Sequence, residues 1–119
     1  MLEKPHKKLD LWQKSIIMVQ KIYDIANSFS RNEEYGLTNQ IRRSAVSIPA
    51  NIAEGAARQT KKEFIRFLHM AQGSLSELDT LLEISKKLGY LREDRGKDLE
   101  SVLDGIDKML TGLIKSLKR

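Results

Sequence analysis

The sequence predicts an all-α protein, an up-down-up-down antiparallel four-helix bundle with a proline-kinked second helix. Three observations point there. Apolar residues recur every three or four positions, not every two, in four separate segments. The breaks between the segments look too short for a crossover connection, so each helix must turn back on the one before it. A chain of 119 residues with 40% hydrophobic and 31% charged residues makes one domain, residues 1–119, able to bury roughly two thirds of the surface that its unfolded form exposes. No internal repeat, Gly/Ser linker or low-complexity tract interrupts it.

The first segment runs from about Asp10, whose carboxylate suits an N-cap, to Phe29. Leu11, Met18, Ile22, Ile25 and Phe29 form one seam, with Ser15 filling a gap in it. Trp12, Ile16, Val19, Tyr23 and Ala26 lie beside that seam. At about 100° per residue the two sets together cover roughly half the circumference, which is wider than one bundle core requires. Two readings stay open. The extra strip of Trp12, Ile16, Val19 and Tyr23 is a contact between subunits, or Trp12 and Tyr23 cap the edges of a single core.

The stretch from Ser30 to Glu34 breaks the pattern. A second helix then starts near Tyr35 or Leu37 and runs to about Ala57, with Leu37, Ile41, Ala45, Ile48, Ile52 and Ala56 facing inward. Pro49 sits inside it. A proline costs a helix interior ~3 kcal/mol, because it lacks an N–H and its ring crowds the preceding turn. The apolar phase is nevertheless the same on both sides of Pro49, which predicts a kinked but continuous helix. The Ala45 carbonyl, deprived of its usual donor, then needs a nearby hydroxyl or water. Small residues (Ser44, Ser47, Ala50, Ala53, Gly55, Ala57) allow close backbone approach along this helix. Arg42 and Arg43 diverge by about 100° around it. One of them is expected to pair with Glu77 or Glu83 on a neighbouring helix and lock the register, and the role of the other, phosphate contact included, stays open.

Thr60 and Glu63 form a capping box that opens the third helix. Its seam is Phe64, Leu68, Ala71, Leu75, Leu78 and Leu82, widened on one flank by Phe67, Met70, Leu81 and Leu88. Gly89 suits the left-handed residue that follows many helices. The fourth helix, from about Arg92 to Lys118, carries Leu99, Leu103, Ile106, Leu110, Leu113 and Leu117, with Val102 and Met109 beside them.

Little in the chain points to catalysis. There is no cysteine, which removes disulfides, thiolate metal sites and cysteine nucleophiles and fits a reducing cytoplasm. The longest aliphatic run, Ile16 to Val19, is far short of the ~20 residues that a membrane span needs. No apolar segment of signal-peptide length follows Lys4, Lys7 and Lys8. The expectation is a soluble, cytoplasmic protein with no membrane partner. A di-iron bundle needs Glu-x-x-His pairs, but the residue three before His69 is Arg66. His69 falls at the edge of the polar face and reads as a surface or packing residue. Glu77 and Asp79 point about 200° apart. No catalytic residue, metal site or cofactor is expected.

Charge gives a stronger signal. Twenty-one Lys and Arg stand against sixteen Asp and Glu, a net charge of +5. An up-down bundle gathers the start of helix one, the turn between helices two and three, and the C-terminus at one end. That end collects nine cations, Lys4, Lys7, Lys8, Arg58, Lys61, Lys62, Lys115, Lys118 and Arg119, against Glu3, Glu54 and Glu63. Its surplus of six exceeds that of the whole chain, so the rest is close to neutral. Such an end attracts a phosphate backbone without reading bases. The competing reading is a set of solvated helix-end charges.

Two long stretches carry a family resemblance. Glu33 to Arg43 (EEYGLTNQIRR) followed by Ser47 to Gly55 (SIPANIAEG) resembles the signature of the 23S rRNA-intervening-sequence protein family. Lys62 to Leu68 (KEFIRFL), Gly73 to Leu78 (GSLSEL), Leu88 to Leu91 (LGYL) and the opening Asp10 to Lys14 (DLWQK) agree, so the resemblance covers essentially the whole chain. It implies a bacterial four-helix bundle with a kinked second helix, assembled as a homopentamer. A related branch serves as accessory protein to the reverse transcriptase of diversity-generating retroelements, where a basic pentamer binds nucleic acid. RNA, DNA or a reverse transcriptase are therefore the partners it implies, and a protein–protein scaffold or adaptor is the alternative. Relatives usually carry a capping Ser or Thr where this chain has Arg92. The family has no agreed catalytic residues, so none carries over.

Overall fold

The computed structural model describes residues 1–33 and 36–119. Four helices follow in order: α1, Asp10–Ala26; α2, Leu37–Ala56; α3, Lys61–Lys87; and α4, Glu93–Leu117. Short 3-10 turns, Pro5–Lys8 and Arg31–Glu33, precede α1 and α2. Among the described residues there is no strand. Each helix packs on its neighbour in sequence, and α4 returns to α1. Cross-helix contacts fix the directions as antiparallel. Ser47 and Ser74 hydroxyls meet at 2.7 Å while Gly55 lies against Phe64 and Phe67. Gln72 donates to the Thr111 hydroxyl at 3.2 Å while Lys86 reaches Glu93 at 3.6 Å. The long axis measures 44 Å, about the ~40 Å length of one 27-residue helix, so the helices lie side by side.

The expected seams build the core. Met18, Ile22, Ile41, Ile48, Ile52, Leu68, Leu78, Leu99 and Leu110 are almost wholly buried. Differences fall at the edges. Asp10 is the first helical residue, not the N-cap. Leu9 holds the cap position without a side-chain hydrogen bond, and the Asp10 carboxylate turns instead to Lys14 at 3.6 Å. α1 ends at Ala26, and Phe29 stays buried beyond it by packing on the Tyr90 ring, centroids 5.7 Å apart. The expected start at Tyr35 lies outside the described residues, and α2 begins at Leu37. Met70 and Leu88 do not widen the α3 seam. They are 46% and 57% exposed, Leu88 at the C-cap past the last helical residue, while Phe67 and Leu81 of the same flank do pack inward.

α2 runs unbroken through the buried Pro49. Among the described residues no side-chain hydroxyl donates to the Ala45 carbonyl; nearby, the Asn51 amide takes the Ser47 carbonyl at 2.8 Å. Small residues set how closely α2 meets α3. A Cβ on Gly55 would stand 2.8 Å from the Phe67 Cβ, closer than packed carbons allow.

The helix ends follow local chemistry. Thr60 Oγ1 accepts the Glu63 amide at 3.1 Å, as the capping box requires. Gly89 has φ +83. Its N–H donates to the Lys86 carbonyl at 3.1 Å, and the Tyr90 N–H donates to Ser85 at 2.9 Å. This is the Schellman arrangement that satisfies terminal carbonyls. Arg92 is the N-cap of α4 and makes no capping bond.

Candidate nucleic-acid interface

The antiparallel order puts the start of α1, the α2–α3 turn and the end of α4 at one end of the bundle. Lys61 and Lys62 occupy the first turn of α3, Lys115 the last turn of α4, and Lys118 its C-cap. Lys4, Lys8, Arg58, Lys61, Lys62, Lys115, Lys118 and Arg119 are all exposed, and Lys7 is half-buried. The N-terminal turn folds back beside them: Lys7 Nζ donates to the Leu2 carbonyl, and Gln13 donates to the Lys7 carbonyl at 2.7 Å.

These cations are not equivalent. Arg58 is engaged, with Nη2 3.1 Å from Glu54 and its guanidinium 4.7 Å above the Phe67 ring. Among the described residues Lys61, Lys62, Lys115 and Lys118 make no ion pair. The opposite end differs. There Lys86 lies between Glu83 at 3.8 Å and Glu93 at 3.6 Å, and Arg92 binds Asp94 at 3.1 Å. The Tyr90 hydroxyl donates to Glu33 at 3.2 Å and ties the two loops of that end together. This hydrogen bond to the carboxylate raises the phenol pKa above its ordinary value.

Neither arginine of α2 forms the expected pair with Glu77 or Glu83. Arg42 lies on the α1 side of α2, where Nη2 donates to Asn27 Oδ1 at 2.8 Å and the guanidinium sits 5.4 Å from the Tyr23 ring centre. Arg43 and Glu77 border one groove without an ion pair, and Glu83 turns to Lys86. His69 is exposed, with Nδ1 3.2 Å from Gln72 Oε1.

The strip beside the α1 seam divides in two. Trp12 and Val19 are half-buried against the core, and His6 packs edge-on to Trp12 at 5.0 Å. Ile16 and Tyr23 are 37% and 39% exposed. Sequence reasoning missed further exposed apolar residues, Ile17 at 51% and Val46 at 43% on this side and Ile84 at 42% on α3. The signal for Ile17 was present. A helix cannot point all of Ile16, Ile17, Met18 and Val19 at one core.

The model of the 23S rRNA-intervening sequence protein family matches residues 7–112. The chain belongs to that family. It is also similar to a protein of unknown function from the S23 ribosomal protein family of Bacteroides thetaiotaomicron VPI-5482. That crystal structure is 26% identical, covers 88% of this chain and 98% of its own, and superposes with a TM-score of 0.82. No curated protein sequence matches the chain. No helix of the described residues is long and apolar enough to cross a membrane.

Proposed function

We propose that this 23S rRNA-intervening sequence family member is a non-enzymatic, cytoplasmic homo-oligomer that holds a nucleic-acid phosphate backbone on its basic end. The observation that carries the reading is the contrast between the two ends. One end gathers nine cations against three carboxylates, with Lys61, Lys62, Lys115 and Lys118 exposed and in no described ion pair, while the other mixes Arg31, Lys86, Lys87, Arg92, Arg95 and Lys97 with seven carboxylates, two of the cations, Lys86 and Arg92, in ion pairs. Free ammonium groups on one surface act on phosphate as a field and need no base contact. Repetition strengthens it. A ring, a pentamer by family resemblance, sums five such ends on one rim if the subunits run parallel. The partner is RNA or DNA, alone or with a reverse transcriptase.

Assembly has its own support in Ile16, Tyr23 and Val46, large apolar side chains left exposed, of the kind enriched at interface centres. The same residues favour the second reading, a protein–protein adaptor with an incidental basic surplus. Titration of a fluorescent single-stranded RNA across a salt series separates the two. The proposed function gives binding that weakens steeply with salt, and the adaptor gives no salt-dependent RNA binding.

A further inference from the structure

We infer that Arg58 presents its guanidinium plane to an unpaired nucleobase, so that the basic end selects single-stranded nucleic acid over a duplex. The inference rests on the nucleic-acid reading above and adds which form of the strand is held. Most cations of that end are lysines, flexible point charges that suit phosphate. Arg58 differs from them. Its backbone N–H donates to the Gly55 carbonyl at 3.1 Å, Nη2 lies 3.1 Å from Glu54 Oε1, and the guanidinium sits 4.7 Å from the Phe67 ring centre. Gly55 makes this arrangement possible, since without a Cβ it lets Phe67 come up against the last turn of α2. The Arg58 side chain nevertheless stays 42% exposed. Phe67 covers one side of the guanidinium and Glu54 one edge, so the exposed surface lies on the side away from the ring.

A guanidinium already seated on an aromatic ring is a shelf for a further planar group. Arginine planes stack nucleobases, and a plane held before the strand arrives loses little freedom on binding. Glu54 offsets the Arg58 charge, so Arg58 adds little to the pull on phosphate, and what it adds is the plane. Lys61 and Lys62 follow in the first turn of α3, both exposed. A phosphate drawn to them leaves its own base within reach of Arg58. In a duplex that base is paired and stacked between its neighbours, whereas in a single strand it is free to turn onto the shelf. The opposite end has no counterpart. Its aromatic pair, Phe29 and Tyr90, is turned to structure, with Phe29 buried and the Tyr90 hydroxyl bound to Glu33.

The test compares wild type with Arg58→Lys, which keeps the charge and removes the plane. The probes are a short single-stranded RNA, the same strand in a duplex, and a strand of equal length built from abasic nucleotides, each titrated across a salt series. Circular dichroism and urea unfolding first verify that the two proteins are equally folded. A field of charge alone holds the duplex at least as tightly as the single strand, because the duplex carries the denser charge. The shelf reverses that order, so wild type is expected to bind the single strand more tightly than the duplex or the abasic strand. Arg58→Lys is expected to weaken single-strand binding about tenfold, the loss of one stacked base. Its salt slope stays unchanged, and so does its affinity for the other two probes. Equal weakening with all three probes, or no weakening with the single strand, overturns the shelf and leaves the basic-end reading standing. Should Arg58→Lys lower the urea midpoint, wild type decides alone: abasic and natural strands bound equally tightly overturn the shelf. A wild type that binds none of the probes at low salt overturns both.

Discussion

Thr60 and Arg92 hold the same position at the starts of α3 and α4, and only Thr60 bonds the helix through its side chain. Replacing Thr60 by Ala is expected to cost about 1 kcal/mol in urea unfolding. Arg92→Ser is expected to gain about 0.5 kcal/mol, since a capping hydroxyl outweighs the exposed Arg92–Asp94 pair. A loss of stability in Arg92→Ser would mean that Arg92 caps α4 in some other way. Gly55 sets two effects against each other. Alanine is favoured over glycine in a helix by about 1 kcal/mol, but overpacking costs about 1–3 kcal/mol. The added Cβ would lie 2.8 Å from the Phe67 Cβ and 3.3 Å from the Phe64 carbonyl. Neither atom is the free end of a flexible chain, so Gly55→Ala is expected to lower the urea midpoint. A raised midpoint would show that α2 and α3 can separate at little cost. Thr60, Gly89 and Arg92 were all legible in the sequence, because a cap depends on a few consecutive residues. The partners of Arg42 were not, because they depend on which side of α2 meets α1.

Among the elements, α1 carries the question of assembly. Its core seam was readable from spacing alone, and its second strip was recognised without its meaning being fixed. The reason is physical: helical period reports which residues avoid water, not whether their cover comes from the same chain. Ile16→Glu changes a residue 37% exposed, so the isolated fold is expected to lose under about 1 kcal/mol, in the range of surface substitutions. Light scattering is expected to show smaller particles at unchanged helicity. Lost helicity would return Ile16 to the core, and an unchanged mass would remove the strip from the interface. α2 illustrates the other side of pattern reading. A proline inside a helix is a strong local penalty, yet the phase from Leu37 to Ala56 foretold continuity and the helix is continuous. Tertiary burial of Ile41, Ile48 and Ile52 outweighs the lost hydrogen bond. Two flank residues of α3, Met70 and Leu88, were misread as core, since a wheel cannot say how far a neighbouring helix reaches.

For the whole molecule, the bundle converts a scattered set of charges into two unlike ends. Topology made the basic end legible before any coordinates, because short connections leave one antiparallel order. What the linear order hid was pairing: Arg58 is held by Glu54 and Phe67, and at the opposite end Lys86 meets Glu83 and Glu93 while Arg92 meets Asp94. The central claim is that Lys61, Lys62, Lys115 and Lys118 hold a phosphate backbone. The most direct measurement is the slope of log binding constant against log salt for single-stranded RNA. It compares the wild type with the variant carrying Glu at those four positions. Each phosphate contact contributes about −0.7 to that slope on a single strand. The account expects a steep slope in the wild type and, in the folded variant, loss of binding with the slope flattened. Binding that survives this change, yet disappears when Lys86, Lys87, Arg92 and Arg95 are reversed, would contradict it and move the interface to the other end.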